Sequence, residues 1–139
     1  MTTRQSFWQL WIIILLLTIT MMSAKELMVR KLTEGLHKPV FLTAPLNSSD
    51  TLFIVEQHGV IRSFINGELL SKPLLEIKDR VHQPKMPGDE RGLLGMALHP
   101  QFKVNNQLFV NYIDQDDHTV ISRFEVDINT SIQTSTTEK

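Results

Sequence analysis

Two short segments recur along this chain, and that recurrence limits its fold more than any other feature. Leu52-Phe53-Ile54-Val55 returns as Leu108-Phe109-Val110-Asn111. Val60-Ile61-Arg62-Ser63-Phe64 returns as Val120-Ile121-Ser122-Arg123-Phe124. Both second copies follow about 60 residues later. Around each copy lie short runs rich in β-branched and apolar residues, cut by turn residues. The first set predicts strands at 39–46, 51–57, 60–67 and 69–77, with Asn66-Gly67 as a tight hairpin turn. Pro73 cannot donate to a ladder, so it pushes 69–77 to an edge or to a strand start. The second set predicts strands at 92–98, 107–113 and 119–127.

A repeated antiparallel four-strand unit is the signature of β-propeller blades. A β-sandwich gives similar strands without the repeat. The second unit is short of a strand, because the chain after Asp127 reads INTSIQTSTTEK and is polar. About one and three-quarter blades are therefore present, whereas a ring closes with about 4–8. Two blades by themselves leave apolar faces and open strand edges through which the chain can self-associate.

The stretch GDERGLLGMALHPQF, residues 88–102, opens the second unit. Its Gly92–Leu98 run reads as an innermost strand buried on both faces, with Gly92 and Gly95 allowing close backbone approach. Asp89, Glu90 and Arg91 then lie on the loop entering that strand, at one mouth of the central channel.

Composition removes several function classes. The 139 residues make one ordinary domain, and 42% hydrophobic with 21% charged residues is globular. A net charge of −1 with no basic block argues against nucleic-acid binding through phosphate neutralisation. Cysteine is absent, which excludes disulfides, zinc-thiolate sites and thiol nucleophiles. At the N-terminus, Arg4 precedes an apolar run from Leu10 to Met22, then Ser23-Ala24 and the charged pair Lys25-Glu26. This reads as a signal peptide over 1–24 and an exported domain over 25–139, periplasmic or extracellular. The run is short of the roughly 20 apolar residues of a membrane helix. An uncleaved anchor through residues 7–22 is the alternative.

The remaining polar residues give weaker signals. His37, His58, His82 and His118 fall in predicted loops without helical i, i+4 spacing or a paired motif, which argues against a metal site. Asp114, Asp116 and Asp117 lack the glycine and distant glutamate of a calcium loop and read as a solvated hairpin tip. Asp89 and Glu90 are adjacent, so they point in different directions and make a poor hydrolytic pair. Arg91 is expected to pair with one of them. His99, in a turn before Pro100, reads as structural.

The run from Glu90 to Phe102, followed by Leu108-Phe109-Val110-Asn111-Tyr112, closely resembles the glucose/sorbosone dehydrogenase family. Leu36-His37-Lys38-Pro39 and Phe53 to Arg62 resemble that family's first blade, and the resemblance spans residues 29–127. It implies an all-β, six-bladed propeller of which this chain holds the first two blades. It also implies pyrroloquinoline quinone and calcium as cofactors, a sugar as substrate, and oxidation of the C1 hydroxyl of an aldose to a lactone. Glu90 stands where the family's glucose dehydrogenase places a sugar-binding glutamine. A carboxylate keeps the acceptor and loses the donor. The family's histidine base, calcium ligands and quinone-binding cations belong to later blades, so the resemblance implies no catalytic, cofactor or metal residue here and an inactive chain by itself. A non-catalytic secreted binding propeller and a self-assembling two-blade unit are the alternatives.

Overall fold

The computed structural model describes residues 27–127, 133 and 134. The expected signal peptide over 1–24, or anchor over 7–22, lies outside the described residues. The chain divides into two units, Met1–Lys31 and Leu32–Lys139, and both sheets belong to the second. Among the described residues no helix is long and apolar enough to cross a membrane.

The first sheet is a meander. Strands β1 (Pro39–Thr43), β2 (Thr51–Glu56), β3 (Val60–Ile65) and β4 (Glu68–Leu69) follow one another in chain order, and β5 (Leu75–Glu76) also pairs with β3. The second sheet runs β6 (Leu93–Leu98), β7 (Gln107–Ile113), β8 (Thr119–Val126) and β9 (Gln133–Thr134), with a helical turn α1 (Phe102–Asn105) between β6 and β7. Every pairing is antiparallel. Two consecutive sheets of this kind are blades, and the repeated segments occupy equivalent strands: β2 matches β7, and β3 matches β8.

Local chemistry sets the turns. Asn66 and Gly67 both take positive φ (53° and 87°), the requirement of a two-residue type I′ hairpin, and Ile65 faces Glu68 across it. The expected fourth strand at 69–77 is instead two short pieces, β4 and β5. Pro73 has no amide hydrogen, so the ladder breaks around it. Arg62 bridges the gap by donating to the Leu70 carbonyl at 2.7 Å.

The core lies between the two sheets. Phe53, Val55, Ile61 and Leu75 from the first meet Leu93, Leu108, Val110, Phe124 and Val126 from the second. Phe102 of α1 packs edge-on against Phe53, with ring centroids 5.6 Å apart. The expectation that β6 is buried on both faces fails. Leu93 and Met96 are buried, while Ala97 is exposed and Leu94 and Leu98 are half-buried. The register shifts between Leu93 and Gly95, so Leu94 is an extra residue in the strand. That bulge brings Leu93 and Met96, three apart, onto the core face. Val40, Phe41 and Leu42 of β1 and Ile121 of β8 remain exposed.

Candidate functional site

The sequence places Glu90 on the loop entering β6, and the structure shows how that loop is held. Gln57, at the end of β2, is 8% exposed and bonds through both its main chain and its side chain. Its amide donates to the Lys38 carbonyl at 3.0 Å, and its carbonyl accepts from the Leu93 amide at 2.7 Å. Its side-chain Nε2 donates to the carbonyls of Asp89 (2.7 Å) and Arg91 (2.9 Å). Those two carbonyls flank Glu90, so the side-chain amide of Gln57 closes the loop beneath it. The Glu90 side chain is exposed and has no internal partner among the described residues.

Gly92 makes this approach possible. Its φ is +133°, and a Cβ there would collide with the carbonyl of Gln57. Gly95, the other glycine expected to allow close approach, does not serve that purpose, since a Cβ added to it meets nothing.

Charge holds the loop from the other side. Arg91 grips Asp89 with Nε and Nη2, each at 2.9 Å, and reaches Asp117 with Nη1 at 3.0 Å. His82 Nδ1 lies 3.2 Å from Asp117, and its Nε2 lies 3.6 Å from Asp89. The hydrogen bonds from Arg91 hold the Asp89 carboxyl well below the usual carboxylate range, and in turn raise the Arg91 guanidinium. Asp117, which the sequence places at a solvated hairpin tip, is indeed exposed, but it ties the β7–β8 turn to the β6 loop. Asp89 turns inward while Glu90 points out, so the two acids form no hydrolytic pair.

Four of the five histidines collect at this end of the sheets. His37 precedes β1, His58 lies in the β2–β3 turn, His82 lies beside the Val81–Asp114 bridge, and His118 ends the β7–β8 turn. Their sequence spacing gives no hint of this gathering. His37 Nδ1 and His58 Nδ1 are 3.3 Å apart. Burial lowers the pKa of His58. Asp114, Asp116 and His118 bring one ligand atom each within 4.8 Å of one another. Oδ1 of Asp114 already accepts the amides of Asp116 and His118, both at 2.9 Å, which closes the turn and lowers the Asp114 pKa. His99 sits at the opposite end of β6, where its Nδ1 accepts from the Gln101 amide at 3.1 Å and contacts Asn105 Nδ2 at 2.8 Å, as a structural turn histidine should. An apolar groove of about 680 Å³ also opens there, between Thr43–Asn47 and Met96–Val104.

The donor set at the Glu90 end does not fit a quinone polycarboxylate. Asp89, Glu90, Asp114, Asp116 and Asp117 make it acidic, and the Arg91 guanidinium is engaged by Asp89 and Asp117.

No family model matches the chain. It is 36% identical to the Hedgehog-interacting protein of Mus musculus over 96 residues, 68% of this chain and 14% of that one. It is 34% identical to the Homo sapiens protein of the same name over 94 residues, 67% and 13% of the two chains. The chain thus spans about a seventh of these relatives' length. Among solved structures, the PQQ-bound aldose sugar dehydrogenase of Streptomyces coelicolor matches with a TM-score of 0.61 at 23% identity, over 79% of this chain and 31% of that one. A glucose dehydrogenase of Thermus thermophilus matches at 0.60 and 23%, over 81% and 31%. Another glucose dehydrogenase matches at 0.62 and 18%, over 80% and 34%. The chain has the fold of part of a sugar-dehydrogenase β-propeller.

Proposed function

We propose that these residues are the N-terminal portion of an exported, quinone-dependent sugar dehydrogenase, in which Glu90 helps hold the aldose at the mouth of the central channel. The supporting observation is the presentation of Glu90. Its neighbours Asp89 and Arg91 are locked by Gln57, by each other and by Asp117, while its own carboxylate is left to solvent. A carboxylate can only accept, and a sugar hydroxyl can donate to it. Residues of further blades would carry the oxidation of the C1 hydroxyl to a lactone, with the quinone and calcium bound there. This chain without them is expected to be inactive. Export would proceed through residues 1–24, with an anchor over 7–22 as the alternative. In the isolated chain, the exposed Val40, Phe41 and Leu42 are the faces through which self-association is expected.

The higher identity to the Hedgehog-interacting proteins than to the dehydrogenases favours a second reading, a propeller that binds a protein ligand and catalyses nothing. Fold does not decide between them. The test supplies pyrroloquinoline quinone and calcium to the protein translated from the complete reading frame, then follows dye reduction with a panel of aldoses. Sugar-dependent reduction supports the dehydrogenase. A folded protein that reduces no dye with any aldose, yet binds a protein ligand, supports the second reading.

A further inference from the structure

Apart from the Glu90 loop, two imidazoles meet nitrogen to nitrogen. His37 Nδ1 and His58 Nδ1 lie 3.3 Å apart, with the rings edge to face at 89° and centroids 4.8 Å apart. One carboxyl group lies beside both residues. Oε1 of Glu56 accepts the His37 amide at 2.6 Å, and Oε2 lies 3.8 Å from His58 Nε2. Glu56 is 2% exposed, so a buried carboxyl group is committed to this arrangement. The turn is fixed as well. The Gly59 amide donates to the Glu56 carbonyl at 3.1 Å, and the His58 carbonyl accepts from Gln83 Nε2 at 3.2 Å.

A metal-ligating histidine usually turns its other ring nitrogen toward a carboxylate, which fixes the ring and raises its basicity. Glu56 and His58 have that polarity, with Nε2 toward the acid and Nδ1 pointing away from it. The separation fits too. Zn–N bonds of about 2.0–2.1 Å in a tetrahedron place two ligand nitrogens about 3.3–3.4 Å apart. Lys78 is the opposing charge nearby, and its ammonium is held by Glu76 at 3.0 Å. We propose that His37 and His58 form a two-imidazole site for a divalent transition metal such as Zn²⁺, with Glu56 orienting His58. Because His37 is exposed, the outer positions of the metal are open to water or to a carboxylate of a bound ligand.

The test is calorimetric titration of the full chain with Zn²⁺ alone, with folding checked by circular dichroism. The expected result is a zinc equivalent whose affinity falls at least about tenfold in H37A and in H58A and is kept in H118A. E56Q is expected to weaken it by about 10–100-fold. Cu²⁺ in the same protein should show two nitrogen donors by electron paramagnetic resonance, and at most one in H37A. His37 is exposed, so H37A leaves the core untouched and stays informative if E56Q fails to fold. Zinc affinity unchanged in the H37A/H58A double variant, or no saturable zinc binding by the folded wild type, would overturn the proposal.

Discussion

The side-chain amide of Gln57 brackets Glu90, donating at 2.7 Å to the carbonyl before it and at 2.9 Å to the carbonyl after it. One residue at the end of β2 thereby shapes the loop of the next blade. The same residue bonds Lys38 and Leu93 through its main chain, so both innermost strands start from it.

Removing that amide leaves two carbonyls without their donor. Q57A should therefore destabilise the chain by about 1–3 kcal/mol. Q57E should cost more, since its carboxylate would face the same two carbonyls. Denaturant unfolding of the three proteins measures both effects.

The two glycines of the β6 entry should behave oppositely. G92A forces a side chain onto the Gln57 carbonyl at a φ of +133° and is expected to cost at least about 2 kcal/mol. G95A meets nothing and should lie within about 0.5 kcal/mol of wild type. Melting temperatures of the pair decide this.

Asp89 gives the loop an acid limit. Its folded-state pKa is depressed by Arg91, so the unfolded chain binds its proton more readily. The stabilisation is complete above the ordinary aspartate value of about 4 and is lost as the pH falls toward the folded value. D89N should remove this contribution, so its stability deficit should be present at pH 7 and shrink steadily below about pH 4. Urea unfolding at a series of pH values tests the sign.

Phe124 is wholly buried on β8 within the core cluster, and the Arg80 guanidinium carbon lies 5.6 Å from its ring centroid. F124A should cost about 3–5 kcal/mol, a large share of the roughly 5–15 kcal/mol that holds a folded domain together. A denaturant midpoint shifted to much lower concentration, with the slope unchanged, would register it.

The strands and their repeat are legible in sequence because alternation and turn chemistry act locally. Asn66-Gly67 announces its hairpin, and the matching of β2 with β7 announces two copies of one unit. What stays hidden depends on pairing. Leu93 and Leu94 look alike in sequence, and only the register against Asn111 and Tyr112 makes Leu94 the bulge. Gln57 reads as one more polar residue at a strand end, yet its bonds to Lys38, Asp89, Arg91 and Leu93 all cross to distant segments. His37 and His58 are 21 residues apart, and they meet because Pro39 pairs with Glu56 and leaves each just beyond that pair. Asp117 likewise reaches Arg91 only once the β7–β8 turn is brought beside the β6 loop.

The most direct test of the account is the kinetics of Glu90 variants in the protein translated from the complete reading frame, loaded with pyrroloquinoline quinone and calcium. If Glu90 accepts a hydrogen bond from the aldose, E90A should raise KM about tenfold, and E90Q, which keeps an acceptor, should stay near wild type. If E90A leaves both KM and kcat unchanged for every aldose that the wild type oxidises, Glu90 does not contact the sugar and the site lies elsewhere.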